Sequence, residues 1–274
     1  SGENVMRVFV FTYDRFDSIT TSGLLEAEGI DHIVLCHTEE QRQGFIDGGR
    51  VNPERIIVTN QPKGLAYNRN YALEMMEEGE WAMFLVDDLK DVTELRNYDR
   101  ATSPLPITMA NQKMYKERFD TPLTMEKFLM RAEELSKVCD RNNCYLGGWA
   151  GIDNPIFRCD HYKTNVLADG RAWIVKKSHL RFDEGAQMID DLCWTAQNIK
   201  EFGIVIVDLW ILPDCRRYSK GGFGSIEDRM EQKIREAGHL VRTYPEFIQV
   251  KEKTGWVYGA HVVLRQMRNK PKIR

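Results

Sequence analysis

Two pairs of adjacent aspartates have the residue type and placement that suit chemistry. Asp87-Asp88 follows Trp81, Ala82, Met83, Phe84, Leu85 and Val86, an unbroken apolar run of strand length, and Asp91 comes three residues on. A run without alternation fits a strand covered on both faces, as in the centre of a parallel sheet. In open α/β sheets ligands bind beyond the carboxyl ends of the strands, so acids there suit a hard cation and, through it, a phosphate. Asp is equally a turn residue, and an acidic turn without a ligand is the competing reading. Asp190-Asp191 follows the turn Phe182-Asp183-Glu184-Gly185 and opens a helical stretch. A carboxylate at that point can serve as a general base, although a helix N-terminus favours acids in any case.

The elements that must position these acids alternate in type. Arg7 to Phe11 reads as a strand ending in the polar loop Thr12-Tyr13-Asp14-Arg15, and Ser18 to Glu28 as a helix closed by Gly29. His32 to Cys36 reads as a second strand ending at His37, Glu40 to Phe45 as a helix broken by Gly48-Gly49, and Arg55 to Thr59 as a third strand. After the turn Asn60 to Gly64, a helix from Leu65 to Glu78 carries Asn68, Arg69 and Asn70 early and leads into the Trp81 strand. Such alternation with short connections predicts a parallel sheet, right-handed crossovers and functional loops along one edge. Further on, Arg96 to Asn111 reads as an irregular loop and Thr124 to Cys139 as a capped amphipathic helix. Tyr145 to Phe157, which contains Trp149, reads as a Gly-rich aromatic segment, either a close-approach loop or a strand pair. Arg171 to Lys176 is expected as a strand, Met188 to Glu201 as a helix, and Ile204 to Leu212 as one buried strand. Tyr218 to Ser225 holds Lys220 among three glycines, and a helix from Ile226 to Gly238 follows.

With 42% hydrophobic and 29% charged residues, the chain has the composition of a folded globular protein rather than a disordered one. Its 274 residues suit one domain over 6–250 and a basic segment at 251–274. No apolar run nears the roughly 20 residues of a bilayer span, and the start lacks signal-peptide character. The expectation is therefore a cytoplasmic protein without a membrane partner, placed in the host cytoplasm if the source is viral. The six cysteines are scattered, so reduced thiols are expected in preference to a zinc site built from Cys139, Cys144, Cys159 and His161. Net charge is -3, yet Lys251 to Arg274 holds seven Lys or Arg against one acid, a local +6. That segment would give salt-sensitive affinity for a polyanion, or it is only a solvated end.

Taken in order, the Thr-Tyr-Asp-Arg loop, the Gly-Leu-Ala-Tyr-Asn-Arg-Asn helix start, the Asp-Asp strand end and the Phe-Asp-Glu turn before an acidic helix resemble a GT-A glycosyltransferase over about residues 6 to 212. Within that class the chain is similar to the TET/JBP-associated glycosyltransferases, phage and related enzymes associated with glycosylation of hydroxymethylated pyrimidines in DNA. The resemblance implies an α/β fold with a GT-A-like, Rossmann-related, mostly parallel mixed sheet flanked by helices. It implies a hexosyltransferase that moves glucose from UDP-glucose to a base such as 5-hydroxymethylcytosine in double-stranded DNA, with inversion. It places Mn²⁺ or Mg²⁺ on Asp88 and Asp87, Asp88 lying further beyond the strand, and gives the base role to Asp191 or its neighbour Asp190. Thr12, Tyr13, Asp14, Arg15, His37, Asn68 and Arg69 fall on the donor side, and Trp149, Lys220, Arg265, Arg268 and Lys270 on the side of the acceptor DNA. Arg69 could instead pair with a strand-end Asp. Asp87-Asp88-Leu89 departs from the family's Asp-x-Asp, which leaves the ligating carboxylate open. The alternatives are a glycan or small-molecule acceptor and a catalytically inactive scaffold that binds nucleic acid. A sugar-nucleotide pyrophosphorylase is disfavoured because Thr12 to Phe16 has no glycine.

Overall fold

Four parallel strands make the first half of the main sheet: β1 (Arg7–Phe11), β2 (Ile33–Cys36), β3 (Ile56–Val58) and β4 (Trp81–Val86), with β1 between β2 and β4. The computed structural model describes residues 6–96, 119–215, 226–251 and 261–274. Helices α1 (Thr21–Ala27), α2 (Glu39–Gly48) and α3 (Leu65–Met75) make the crossovers. The Thr38 side chain caps α2 by accepting from the Gln41 N–H, and Gly49 ends the helix at φ 66°, a left-handed conformation that costs glycine little. Ala82, Met83, Phe84 and Leu85 are buried, as the unbroken apolar run of β4 requires.

The second half of the sheet mixes directions. β9 (Ala172–Lys176) lies antiparallel beside β4, and β7 (Leu146–Trp149), β10 (Ile206–Asp208) and β8 (Tyr162–Thr164) follow, for an order β3-β2-β1-β4-β9-β7-β10-β8. A strand running against β4 begins where β4 ends. Asp169, Gly170 and Arg171, just before β9, therefore arrive at the carboxyl edge of the parallel half, where the Val86 N–H donates to the Arg171 carbonyl at 3.1 Å. Strand alternation divides the interior into two cores. Val8, Val10, Met83 and Leu85 face one with α1, α2 and α4 (Met125–Arg141), while Phe9, Phe11, Phe84 and Trp173 face the other with α3 and α5 (Asp190–Phe202). A third cluster joins α5 to α6 (Ile226–Thr243) and β12 (Ile248–Lys251).

Beyond Asp87-Asp88 the chain enters a second sheet, in which β5 (Leu89–Leu95) lies between β11 (Ile211–Cys215) and β6 (Asp120–Leu123). The expected single strand from Ile204 to Leu212 is two strands: β10 belongs to the main sheet and β11 to the second. The turn between them, Leu209-Trp210, is hidden from periodicity because apolar residues continue through it. β12 pairs with β13 (His261–Leu264), and the stretch after β13 is packed on the body. There the Thr164 hydroxyl donates to the Pro271 carbonyl at 2.7 Å and the Arg274 N–H to Asn142 Oδ1 at 2.8 Å. Arg265, Arg268, Lys270, Lys272 and Arg274 remain exposed along it. No helix among the described residues is long and apolar enough to cross a membrane.

Candidate active site

The order of the parallel strands reverses between β1 and β4, so the loops that leave these neighbours diverge and open a crevice at their carboxyl ends. A cavity of about 110 Å³ lies there, lined by Tyr13, Arg15, His37, Lys63, Asp87 and Asp88 among others. Sites that engulf a whole drug-sized ligand run to roughly 300–1,000 Å³, so this one has room for one end of a ligand.

Its wall is held by a buried polar network. His37 Nδ1 is 3.3 Å from the Gln61 carbonyl and Nε2 is 3.2 Å from Asn68 Nδ2. The Thr59 hydroxyl donates to Asn68 Oδ1 at 2.6 Å, so the Asn68 amide is the donor to Nε2 and the ring proton is assigned to Nδ1. Burial lowers the His37 pKa, which keeps the imidazole neutral. Tyr13 meets His37 edge-on with centroids 5.5 Å apart, and the Lys63 ammonium is 4.7 Å from the Tyr13 ring. Asp14 takes the left-handed conformation at φ 49°, a strained state for a residue with a Cβ. Gln41 holds it, donating to Asp14 Oδ1 at 3.0 Å while accepting from the His37 N–H at 2.7 Å.

The next residue, Arg15, covers the first acid pair. Its Nη1 is 3.2 Å from Asp87 Oδ1 and also pairs with Asp88, while the Thr12 hydroxyl donates to Asp87 Oδ2 at 2.6 Å. Burial pushes the Asp87 carboxyl up to about 6 against the opposing pull of Arg15 and Thr12. Among the described residues no cluster of three or more His, Cys, Asp or Glu side chains is arranged for a metal ion. The donor set still fits Mg²⁺ or Mn²⁺, because such ions are commonly held by one or two carboxylates together with substrate phosphates, and the pair already accommodates a positive charge from Arg15.

The second acid pair is built differently. Arg69, on α3, is buried among Phe11, Trp173 and Phe182, with its guanidinium carbon 4.5 Å from the Trp173 ring centroid. It pairs with Asp190 and not with a strand-end acid. Burial lowers its pKa to about 9, so it is still protonated at neutral pH. Asp191 accepts the Leu192 N–H at 2.8 Å, and burial, with the nearby charge of Asp169, pushes its carboxyl up to about 6 against the opposing pull of Arg69. Arg171 holds Asp169 through Nε at 3.1 Å. Gly170 lets this turn approach α5, since a Cβ there would lie 3.2 Å from the Asp191 Cβ. Asp191 lines a second cavity, of about 540 Å³, together with Lys233, Arg265 and Lys270.

Thr12, Tyr13, Arg15 and His37 thus converge on the first cavity or its acids, while Asp14 is tied to Gln41 instead. Asn68 supports the wall from behind, and Arg69 serves Asp190. Arg265 and Lys270 meet at the second cavity, and Arg268 is exposed on the same segment. Trp149 must be corrected: it is 1% exposed and packed on Phe128 with centroids 4.7 Å apart, so it is a core residue that cannot touch an acceptor. Lys220 lies outside the described residues. Sequence reasoning missed Lys63, which looked like part of a connector, and Asp169 and Arg171, which had no signal beyond standing before a strand. No protein-family model matches the chain, and no curated protein matches it in sequence.

Proposed function

We propose that the chain is a GT-A-type glycosyltransferase that moves a hexose, glucose, from a UDP-type nucleotide sugar to the hydroxyl of a hydroxymethylated pyrimidine in DNA, with inversion. One observation carries this reading: a cavity ending on Asp87-Asp88 at the strand switch point and a second cavity lined by cations and Asp191 are bridged by the turn 169–171, whose Arg171 carbonyl accepts the Val86 N–H and whose Gly170 packs on Asp191. The parallel half of the sheet followed by a mixed half, with the acids at their junction, supports GT-A within the Rossmann-like class. The Tyr13–His37 wall suits a flat base, and Lys63 and Arg15 suit phosphates.

In the proposed reaction the acceptor oxygen attacks the anomeric carbon as Asp191 takes its proton. The bond from that carbon to the diphosphate oxygen breaks, and its electron pair leaves with the nucleoside diphosphate. A carboxyl pKa near 6 makes Asp191 a stronger base than an exposed aspartate while leaving it largely ionised at neutral pH. Arg15 and Lys63 offer positive charge to the departing diphosphate. A Mn²⁺ or Mg²⁺ held by Asp88, with Asp87 beside it, would supply further charge neutralisation.

The test is incubation with hydroxymethylcytosine DNA, Mn²⁺ and a panel of nucleotide sugars, followed by mass analysis of the nucleosides. A hexose increment is expected with wild type and not with Asp191→Asn. No increment with any donor would sink the reading.

A further inference from the structure

Helix α3 begins without a side-chain cap of its own. Gly64 precedes it at φ 140° and has nothing to offer the N–H groups of the first turn, which a serine, threonine or aspartate at that place ordinarily satisfies. The acceptor comes instead from far along the chain. The Gln187 amide oxygen takes the Ala66 N–H at 2.9 Å, and its nitrogen donates to the Glu184 carbonyl at 2.9 Å. Gln187 is buried, and a Cβ at position 64 would run into its Oε1, so glycine there is what admits the glutamine. A local cap would satisfy the same N–H. Only a remote one makes the start of α3 depend on where the segment 182–190 lies.

Two further side chains of α3 reach that segment. Asn70 donates to the Phe182 carbonyl at 3.0 Å and accepts the Phe182 N–H at 2.7 Å, and Arg69 pairs with Asp190. The segment is therefore fastened to α3 at its start, within its length and at its end, all by buried residues. The two elements so joined serve different cavities. Lys63, Gly64 and Leu65 line the first, whereas Met188, Ile189 and Asp191 line the second. Gln187 bonds to the residue after Leu65 and itself precedes Met188, so one side chain reaches from one lining to the other. On the far side, Glu236 of α6 accepts the Met188 and Ile189 N–H groups at 2.8 and 3.1 Å, and Lys233, one turn earlier on α6, lines the second cavity.

We infer that Gln187 is a positioning residue: by joining the first turn of α3 to the start of α5, it makes the placement of Asp191 follow what is seated against Lys63 and Gly64 in the first cavity. The inference rests on the donor and base roles proposed above and adds the link between them. Gln187 touches no reacting atom and acts through Asp191. A general base has to stand within hydrogen-bond reach of the hydroxyl it deprotonates, and a misplacement of about 1 Å can cost about 10²-fold in rate. Such a link bears on turnover more than on donor affinity.

The experiment is hydrogen exchange of the full chain read amide by amide, with and without UDP-glucose and Mn²⁺, together with hexose-transfer kinetics. Without ligand, the amides of Ala66, Met188 and Ile189 in wild type are expected to open together, with one dependence on urea. UDP-glucose is expected to slow exchange around Ala66 and also at 188–192. Gln187→Met keeps the volume of the side chain and neither hydrogen bond. In it, protection should no longer reach 188–192, and kcat should fall about ten- to a hundredfold, while retained UDP-glucose affinity in calorimetry shows that the variant is folded. Gln187→Glu can still accept the Ala66 N–H and should restore the spread of protection and most of kcat. The inference is overturned if the three amides of ligand-free wild type open independently, if Gln187→Met keeps full kcat, or if it loses turnover and affinity alike, as a cap with only a structural role would. The wild-type measurements decide the matter even where a variant does not fold. Should the amides open together in a chain that binds no UDP-glucose, the link stands and the donor reading falls. Binding of UDP-glucose without protection at 188–192 does the reverse.

Discussion

Asp87-Asp88 and Asp190-Asp191 are the same dipeptide held in two ways. The first pair ends a strand and takes its arginine from a surface loop, where the Arg15 side chain is 20% exposed. The second begins a helix and takes its arginine from the interior, where the Arg69 side chain is 3% exposed and wedged among three rings. Arg15 can leave its acids by rotating its own bonds, whereas Arg69 can leave only if the core opens. An exchangeable counter-ion marks a place where a ligand's charge can enter. A fixed one marks scaffolding: Arg69 contacts Asp190 and acts on Asp191 through its charge, which leaves Asp191 the less tightly held carboxylate of the pair.

The largest expected effect separates the two members of the second pair. Asp191→Asn should slow hexose transfer about 10²- to 10⁴-fold, the usual contribution of a general base, with UDP-glucose affinity intact. An equal slowing in a stably folded Asp190→Asn would erase the distinction. Next comes Arg69→Met, which leaves Asp190 buried without its partner and should cost about 3–5 kcal/mol in urea unfolding. A cost like that of an exposed pair, about 1 kcal/mol or less, would show that this arginine is no more fixed than Arg15.

A pH profile sharpens the same contrast. With the Asp191 carboxyl near 6, kcat/KM should fall about tenfold per pH unit below that value. A flat profile down to about pH 5 would exclude Asp191 as the titrating base. Stability runs the other way. Because the folded-state pKa is raised, the stability linked to this group is full below the ordinary carboxylate value of about 3.9 and is lost as pH rises through about 6. Thermal midpoints of wild type should therefore decline relative to Asp191→Asn across that window. The smallest effect is that of Arg15→Ala, which should cost less unfolding free energy than Arg69→Met because the loop side chain is the more exposed of the two arginines and its removal opens the acids to water. The same substitution should weaken UDP-glucose binding in calorimetry, and unchanged binding would deny Arg15 its donor role.

What was legible beforehand follows from where the information sits along the chain. β1, β2, β4 and α4 each carry a local signature, an apolar stretch of strand length or a capped amphipathic repeat, and each formed where its pattern lies. Both aspartate pairs were visible too, one as acids after an apolar run and the other as acids that open a helical stretch after a turn. Which aspartate is the less tightly held was not visible, because it depends on Arg69, a residue of a distant helix. Trp149 misled because Gly147 and Gly148 before it looked like loop glycines. They belong to β7, where a Cβ would come within 2.6 Å of Ile174 and 2.9 Å of Ala168 respectively, so these positions lack a side chain because of packing rather than for bending. Trp210 was hidden inside an apolar run that spans two sheets.

The antiparallel course of β9 bears on how the molecule assembles. β1 to β4, with the first cavity, come from one continuous stretch of chain in which successive parallel strands are joined through single helices. β9 must find β4 across a much longer intervening segment, which includes β5, β6, α4, β7 and β8, and such non-local pairings are entropically costly and slow. The expected order of folding is therefore β1 to β4 first, then β9 and β7. Pulse-labelled hydrogen exchange should show the amides of β1 and β4 protected before those of β7 and β9, and simultaneous protection would contradict that order. A chain stopped between the two stages would already have the first cavity but would not yet have gained the carboxylate of Asp191, so readiness to hold the proposed donor would precede readiness to use it.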